Sequence, residues 1–175
     1  MNTRTRVLTG TAVAVVLGAG TFGAVSASAA PAKKDEVKSN NFTTSTHLTV
    51  DAATRAAQAA LDAAEKENQK VTVAVVDRNG NTIVTLRGDG AGPQSYESAQ
   101  RKAYTAVSWN APTSVLAGRL AQAPNLKDIP GTLFLAGGAP VQAGGAPVAA
   151  VGVAGAPSGD LDEKFAKAGV EVLGK

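Results

Sequence analysis

A short segment of the sequence combines two cations with oxygen-bearing side chains. Arg101 and Lys102 lie on a predicted helix that also carries Tyr104, and Thr113 follows one loop later, after Pro112. Two cations near an oxygen ligand and apolar walls suit a planar acidic ligand such as haem, since its propionates would pair with the cations. Tyr104 or Thr113 would then offer an oxygen to the iron. An ordinary amphipathic helix has the same composition, so the residues alone leave both interpretations open.

Nitrogen and sulfur ligands for a metal are scarce, because the chain has one histidine, His47, and no cysteine. The lack of cysteine excludes thiolate zinc sites and iron–sulfur clusters. His47 could ligate a metal or a haem iron, but one histidine per chain gives a bis-histidine iron site only in an oligomer. Asp62 and Glu65 are spaced i, i+3 on a predicted helix, so their carboxylates share a face that could weakly hold ferric iron or another hard cation. The alternatives are a boundary position for His47 and a solvated helix face for the two acids.

Two common kinds of enzyme site find little support. His47 is the only histidine available to a Ser-His-Asp triad, and no serine lies in a G-x-S-x-G motif. The glycine-rich segment 88–92 lacks the G-K-[ST] ending of a P-loop, and Pro93 breaks a G-x-G-x-x-G pattern. This segment therefore predicts a loop between two secondary-structure elements and not a phosphate site.

The first thirty residues have the pattern of an export signal. Arg4 and Arg6 precede an apolar run over 7–25 that contains no acid, and Ala27-Ser28-Ala29 forms an A-x-A cleavage motif. We expect a signal peptide over 1–29, a flexible leader over 30–47 and a folded domain over 48–175. The expected product is a secreted, extracellular protein.

The net charge of the whole chain, +3 with a pI near 9.3, suggests a nucleic-acid partner at first. Cleavage would remove Arg4 and Arg6 but no acid, so Lys and Arg would fall from 17 to 15 against 14 Asp and Glu. Aromatic residues make up only 4% of the chain, too few for base-stacking platforms. The sequence therefore predicts no nucleic-acid partner.

Hydrophobic spacing divides the domain into nine elements. Thr49 is the expected N-cap of an alanine-rich first helix. Asn79-Gly80 lies between two β-branched runs and predicts a hairpin closed by a type I′ turn. Thr113 or Ser114 is the expected cap of a short third helix. The predicted helices span 50–68, 95–109, 115–121 and 160–173, and the predicted strands span 71–77, 82–86, 133–136, 140–142 and 147–153. This order indicates an α+β fold with an antiparallel sheet.

Six short segments occur in an order and spacing typical of one protein family, although no single segment is specific. They are Leu48–Ala53 (LTVDAA), Val73–Gly80 (VAVVDRNG), Lys102–Ala106 (KAYTA), Pro112–Ser114 (PTS), Gly137–Val141 (GGAPV) and Val151–Gly155 (VGVAG). Together they resemble the GlcG/HbpS-like haem-degrading family over about residues 48–173. The secreted HbpS-type members are the nearest comparison.

The resemblance implies a profilin-like α/β/α sandwich around a five-stranded antiparallel sheet, usually assembled as a homo-oligomer. It also implies a secreted protein that binds haem, and with it iron, in order to sequester or sense extracellular haem. In some secreted members it implies an accessory role to a membrane sensor kinase. The alternatives are an enzyme that degrades haem or another small molecule, and an oligomeric interaction module that works without haem.

The resemblance also ranks the candidate haem-binding residues. Thr113 of the PTS segment is the first candidate for the residue on the iron side, with Lys102 and Tyr104 nearby. Where relatives often carry a Met-Asp-Gly sequence, this chain has Gly88-Asp89-Gly90, so a thioether contact to the ligand is absent.

Overall fold

The computed structural model describes residues 37–174 of the chain. The predicted signal peptide over 1–29 and the first part of the predicted leader, 30–36, lie outside the described residues. The chain divides into a first unit that ends at Phe42 and a second unit that begins at Thr43. Within the first unit the described residues include one 3-10 turn, Ser39–Asn41. No helix within 37–174 is long and apolar enough to span a membrane.

The second unit contains four α-helices and four β-strands among the described residues. The helices are α1 (Val50–Lys66), α2 (Pro93–Trp109), α3 (Thr113–Gly118) and α4 (Gly159–Glu171), and the strands are β1 (Thr72–Asp77), β2 (Thr82–Arg87), β3 (Gly138–Ala143) and β4 (Ala146–Ala154). Short 3-10 segments follow α3 and α4. All four helices begin within two residues of their predicted starts, because their first turns carry recognisable capping signals or proline.

The strands form one antiparallel sheet in the order β2-β1-β4-β3. The predicted fifth strand, over 133–136, is wrong, since this segment pairs with no strand in the described sheet. The segment contacts α2 instead, through one hydrogen bond and one aromatic pair. The N–H of Leu133 donates to the hydroxyl of Thr105 at 2.8 Å, and Phe134 packs edge-on against Trp109 with ring centroids 5.3 Å apart.

The sheet is covered by helices on both faces. Odd-numbered residues of the central strands, such as Val73 and Val151, point to the face covered by α1 and α4 and form the main core with Phe165. Even-numbered residues, such as Ala150, point to the face covered by α2. Alternating strand residues thus build two cores, and the resulting three layers are compatible with the expected α/β/α sandwich.

The turn between β1 and β2 differs from the predicted type I′ turn. That turn needs a left-handed conformation at both Asn79 and Gly80, but only Gly80, with φ +87°, has a positive φ. The N–H of Gly80 donates to the carbonyl of Asp77, and the N–H of Asp77 donates to the carbonyl of Asn81. The hairpin therefore has a three-residue loop that ends in a left-handed glycine, which is the next most common hairpin geometry.

Of the two predicted helix caps, the structure has one. Thr49 caps α1 as predicted, since its hydroxyl accepts the N–H of Ala52 at 3.2 Å. The predicted cap of α3 is wrong, because Thr113 and Ser114 are the first residues of that helix and Pro112 precedes it. A carboxylate from α4 replaces the missing side-chain cap, as described below.

Candidate functional site

A shallow groove at the surface lies between α2 and the hairpin formed by β1 and β2. Arg101 and Tyr104 from the helix line it together with Gly80 and Thr82 from the first hairpin and Gly131 from the loop before β3. Its volume is about 190 Å³. Arg101 is exposed and forms an ion pair with Glu97 one turn earlier on the same helix. We call this feature the outer groove; it brings together two of the four residues predicted to bind haem.

Tyr104 lies half-buried between two glycines of the outer groove. A Cβ atom added to Gly80 would lie 2.7 Å from Cε2 of Tyr104, and one added to Gly131 would lie 3.6 Å from Cε1. The phenol hydroxyl of Tyr104 forms no hydrogen bond with any residue in 37–174. A neutral phenol that lines a groove can donate a hydrogen bond to a ligand or accept one from it.

Lys102 lies on the inner side of α2, away from the outer groove. Its side chain is 6% exposed, and its Nζ donates to Oδ2 of Asp162 at 2.7 Å and to the carbonyl of Val153 at 3.1 Å. The other carboxylate oxygen of Asp162 accepts the N–H of Ala156 at 3.0 Å. Burial raises the pKa of Asp162 even though Lys102 acts in the opposite direction. The Lys102 charge is therefore used inside the protein.

Thr113 belongs to the same inner region. It is fully buried, and its Oγ1 accepts the N–H of Gly138 at 2.8 Å. A Cβ atom added to Gly138 would lie 2.7 Å from Cγ2 of Thr113, so strand and helix are in direct contact there. We call Lys102, Asp162, Thr113 and Gly138 the inner cluster. In this structure the hydroxyl of Thr113 is enclosed by protein and engaged by the backbone.

The separation of the four candidates follows from helix geometry. Successive residues of an α-helix are about 100° apart around its axis, so Arg101 and Lys102 point to different sides of α2. Tyr104 follows Arg101 by three residues and shares its side. The sequence neighbours Arg101 and Lys102 thus belong to two different environments, one at the surface and one inside.

Glu163 is a buried acidic residue that the sequence pattern does not indicate as a candidate. It is almost fully buried, and its carboxylate accepts the N–H and the hydroxyl of Ser114 at 2.9 and 2.7 Å. Lys167 lies 2.8 Å from the same carboxylate. Burial alone would raise the pKa of Glu163, but the hydrogen bonds from Lys167 and Ser114 outweigh it and hold the pKa below its ordinary value. Only the tertiary structure brings this acid to the start of α3.

Glu163→Gln is expected to lower the free energy of unfolding by about 1–2 kcal/mol at pH 7, because it removes charge-assisted hydrogen bonds from a buried group. A carboxylate whose pKa is lowered on folding contributes stability above its unfolded pKa and loses it as the pH falls through the folded value. The difference between parent and variant should therefore shrink below about pH 4.5, the ordinary value for glutamate.

Urea unfolding between pH 7 and pH 3 measures this difference. Glu65→Gln, at an exposed position on α1, is the matched control and should change stability by less than about 0.5 kcal/mol at each pH. A loss at Glu163→Gln that stays constant over the whole pH range would contradict the assigned role of its charge.

The three predicted metal-binding residues occupy two separate places. The Nε2 of His47 lies 2.7 Å from the hydroxyl of Ser45, and its Nδ1 lies 4.0 Å from Asp77. Asp62 and Glu65 are both exposed on α1, and Asp62 accepts a hydrogen bond from Gln58 at 2.6 Å. Within 37–174, no group of three or more His, Asp or Glu residues is placed to hold a metal ion. The acidic pair stays a prediction for a weak cation site.

Comparisons with known proteins agree on one family. The model of the family described as haem degrading protein HbpS-like matches residues 48–171. A double mutant of Streptomyces reticuli HbpS is 74% identical, with a TM-score of 0.79, covering 80% of this chain and 96% of that chain. No match was found among curated protein sequences.

Two more distant structures share the fold. Klebsiella pneumoniae protein ORFY is 26% identical with a TM-score of 0.71, covering 75% of this chain and 94% of that chain. A complex of PduOC with haem is 24% identical with a TM-score of 0.66, covering 72% of this chain and 94% of that chain. At that identity the PduOC complex supports the architecture of this chain and not its ligand.

Proposed function

The chain belongs to the HbpS-like family of haem-degrading proteins, and from this premise we propose that it is a secreted protein that binds haem outside the cell. In this role a homo-oligomer of the chain sequesters or senses extracellular haem. A protein that senses haem would act as the accessory of a membrane sensor kinase. The observation that carries the proposal for this chain is the outer groove, where an exposed guanidinium and a phenol without an internal partner lie side by side.

The side chains of the outer groove fit the polar edge of haem. The Arg101 guanidinium suits a propionate, because it can donate two parallel hydrogen bonds to a carboxylate. Its present partner Glu97 is exposed on the same helix, and such surface pairs are worth only about 0.2–1 kcal/mol, so a propionate can replace it. Gln100 and Thr82 add further donors along the groove wall. A haem carboxylate would therefore meet several donors here.

The size of the outer groove limits how much of the haem one chain can enclose. Pockets that bury most of a drug-sized ligand have volumes of about 300–1,000 Å³, whereas the outer groove has about 190 Å³. One chain would hold an edge of the porphyrin, and a second surface would cover the rest. This mismatch supports the homo-oligomer in the proposal.

Two oxygens compete for the iron side of the ligand. Tyr104 presents its phenol in the outer groove, and tyrosine is an established haem ligand. Thr113, the first candidate by resemblance, is fully buried and bonded to Gly138, so it could reach iron only if α3 moved away from β3. We therefore propose Tyr104 as the oxygen nearest to a bound haem, with Arg101 beside it.

A haemin titration followed at the Soret band tests the proposal on the chain without residues 1–29. Tyr104→Phe and Arg101→Gln are each expected to weaken haemin binding about tenfold, equal to about 1.4 kcal/mol. Tyr96→Phe, at the only other tyrosine and on the same helix, and Arg119→Gln, an exposed arginine outside the groove, are matched controls that should leave binding unchanged.

Three outcomes decide the parts of the proposal. The absence of a saturable Soret shift in the parent would refute haem binding. Equal haemin affinity in the parent and in Tyr104→Phe, with weaker binding in Thr113→Ala, would indicate that Thr113 and not Tyr104 lies on the iron side of the haem. Unchanged haemin affinity in Arg101→Gln would contradict the placement of a haem propionate in the outer groove.

Haem degradation is the second candidate function, and the description of the matched family favours it. Degradation needs oxygen and a reductant together with a bound haem. Loss of the Soret band under these conditions, with release of iron and at a rate that depends on the protein, would support an enzyme. A band that persists would support binding without turnover.

A further inference from the structure

The hairpin turn between β1 and β2 is in direct contact with the aromatic ring of the outer groove. We propose that Gly80 is a positioning residue of this groove, because the missing side chain at Gly80 sets where the ring of Tyr104 lies. This inference rests on the proposed function in so far as Tyr104 faces the ligand. The contact between turn and ring is a property of the protein without ligand.

The turn that presents Gly80 is held by a dense set of hydrogen bonds. Oδ1 of Asp77 accepts the N–H groups of Asn79 and Asn81, both at 2.8 Å, and Oδ2 accepts the side-chain amide of Asn81 at 3.3 Å. The N–H of Gly80 donates to the carbonyl of Asp77 at 3.0 Å. Four bonds to one residue leave the turn little freedom to move away from α2. Gly80 is thus a fixed wall of the groove.

The space between Gly80 and Tyr104 leaves no room for a side chain. An added Cβ atom would lie 2.7 Å from Cε2 and 3.2 Å from Cδ2 of Tyr104, well inside the normal contact distance of about 3.5–4.0 Å between carbon atoms. Because the turn is tied to Asp77, the ring is the part that yields. On the other edge of the ring, a Cβ atom added to Gly131 would lie 3.6 Å from Cε1, which is an ordinary contact distance. A side chain at position 80 would therefore displace the ring.

A second hairpin of the same sheet offers a matched comparison. Gly145, in the turn between β3 and β4, is also left-handed, with φ +79° against +87° for Gly80. A Cβ atom added to Gly145 meets nothing within 4 Å. Substitution at either glycine carries the same kind of backbone strain, but only Gly80 touches the ring. Any difference between the two substitutions beyond this strain reports on the contact with Tyr104.

The test uses the fact that the chain has only two tyrosines. In a Tyr96→Phe background Tyr104 is the sole tyrosine, so the rate of nitration by tetranitromethane reports on its ring alone. Gly80→Ala should displace the ring outwards and raise this rate by roughly twofold or more, since overpacking forces side chains out of position. Gly145→Ala should leave the rate unchanged. In the haemin titration, Gly80→Ala should weaken binding about tenfold, and Gly145→Ala should not.

Two further results keep the inference separate from the proposed function. If the parent binds no haemin, the proposed function fails, and the nitration rates still decide whether Gly80 positions the ring. Should Gly80→Ala not fold, Asp77→Ala loosens the turn without adding atoms beside the ring, and Asp77→Asn, which keeps an acceptor oxygen, should largely restore the parent nitration rate. Equal nitration rates in the parent, in Gly80→Ala and in Asp77→Ala would overturn the inference.

Discussion

Asp162→Ala is expected to lower the free energy of unfolding by about 3–5 kcal/mol, the usual range when one partner of a buried ion pair is removed. The variant would leave the ammonium of Lys102 enclosed, with the carbonyl of Val153 as its remaining partner. It would also leave the N–H of Ala156 without its acceptor. Urea unfolding at pH 7 measures the loss. Glu67→Ala, which breaks the exposed pair with Lys164, is the control and should cost less than about 1 kcal/mol.

A double substitution separates the loss of the pair from the isolation of a charge. Burial raises the pKa of Asp162 despite the adjacent Lys102, which indicates that the attraction does not fully offset the loss of hydration. Replacing both members by apolar residues, as in Lys102→Met with Asp162→Leu, should therefore recover most of the stability. A double variant as unstable as Asp162→Ala alone would contradict this account and assign the loss to packing or to Ala156.

The local pattern of the chain predicts most of the fold. Thr49 marks the start of α1 because its hydroxyl caps the helix within three residues, and the β-branched runs around Gly80 mark β1 and β2 because their signal is local. The predicted strand over 133–136 is wrong, since an apolar run of four residues looks the same whether it pairs with a strand or packs on a helix. There, Thr105 and Trp109 decided the outcome, and both are distant in sequence.

The candidate site was predictable only in part, for a related reason. Helical spacing alone places Arg101 and Tyr104 on one side of α2. It gives no reason to bury Lys102, because a lysine is almost never fully buried unless it is paired, and its partner Asp162 lies 60 residues further along the chain. The sequence likewise does not show that the hydroxyl of Thr113 is engaged, because the N–H that donates to it belongs to Gly138 on a distant strand. Motif resemblance identifies these residues without showing which of them face a ligand.

Gly152→Ala is expected to destabilise the protein by about 3 kcal/mol, near the upper end of the usual range for overpacking. Gly152 lies in the central strand β4 and faces α2. An added Cβ atom would overlap the carbonyl oxygen of Ala99 and lie 2.6 Å from the backbone nitrogen of Ala103. Both are backbone atoms, so no side-chain rotation can relieve the overlap. The helix would have to move away from the sheet, or the strand would have to bend.

Gly118→Ala is the matched control for this substitution. Gly118 has helical geometry, with φ −61°, and an added Cβ atom meets nothing within 4 Å. The control should be neutral or should stabilise the protein by about 0.4–1 kcal/mol, because alanine restricts the unfolded chain more than glycine does. Urea unfolding of both variants measures the contrast. Equal effects would show that the approach of α2 to β4 is looser than the structure indicates.

Gly152→Ala also tests whether the packing of α2 on the sheet affects the outer groove. α2 rests on Gly152 through Ala99 and Ala103, and the same helix carries Arg101 and Tyr104 of the outer groove, whereas Gly80 is held by the first hairpin. A helix displaced from β4 would therefore shift Tyr104 relative to Gly80 while the hairpin stayed in place. Folded Gly152→Ala should bind haemin more weakly than the parent, although position 152 touches no part of the groove. A destabilised variant with parental haemin affinity would show that the groove is set by the hairpin and α2 alone, independently of the sheet beneath them.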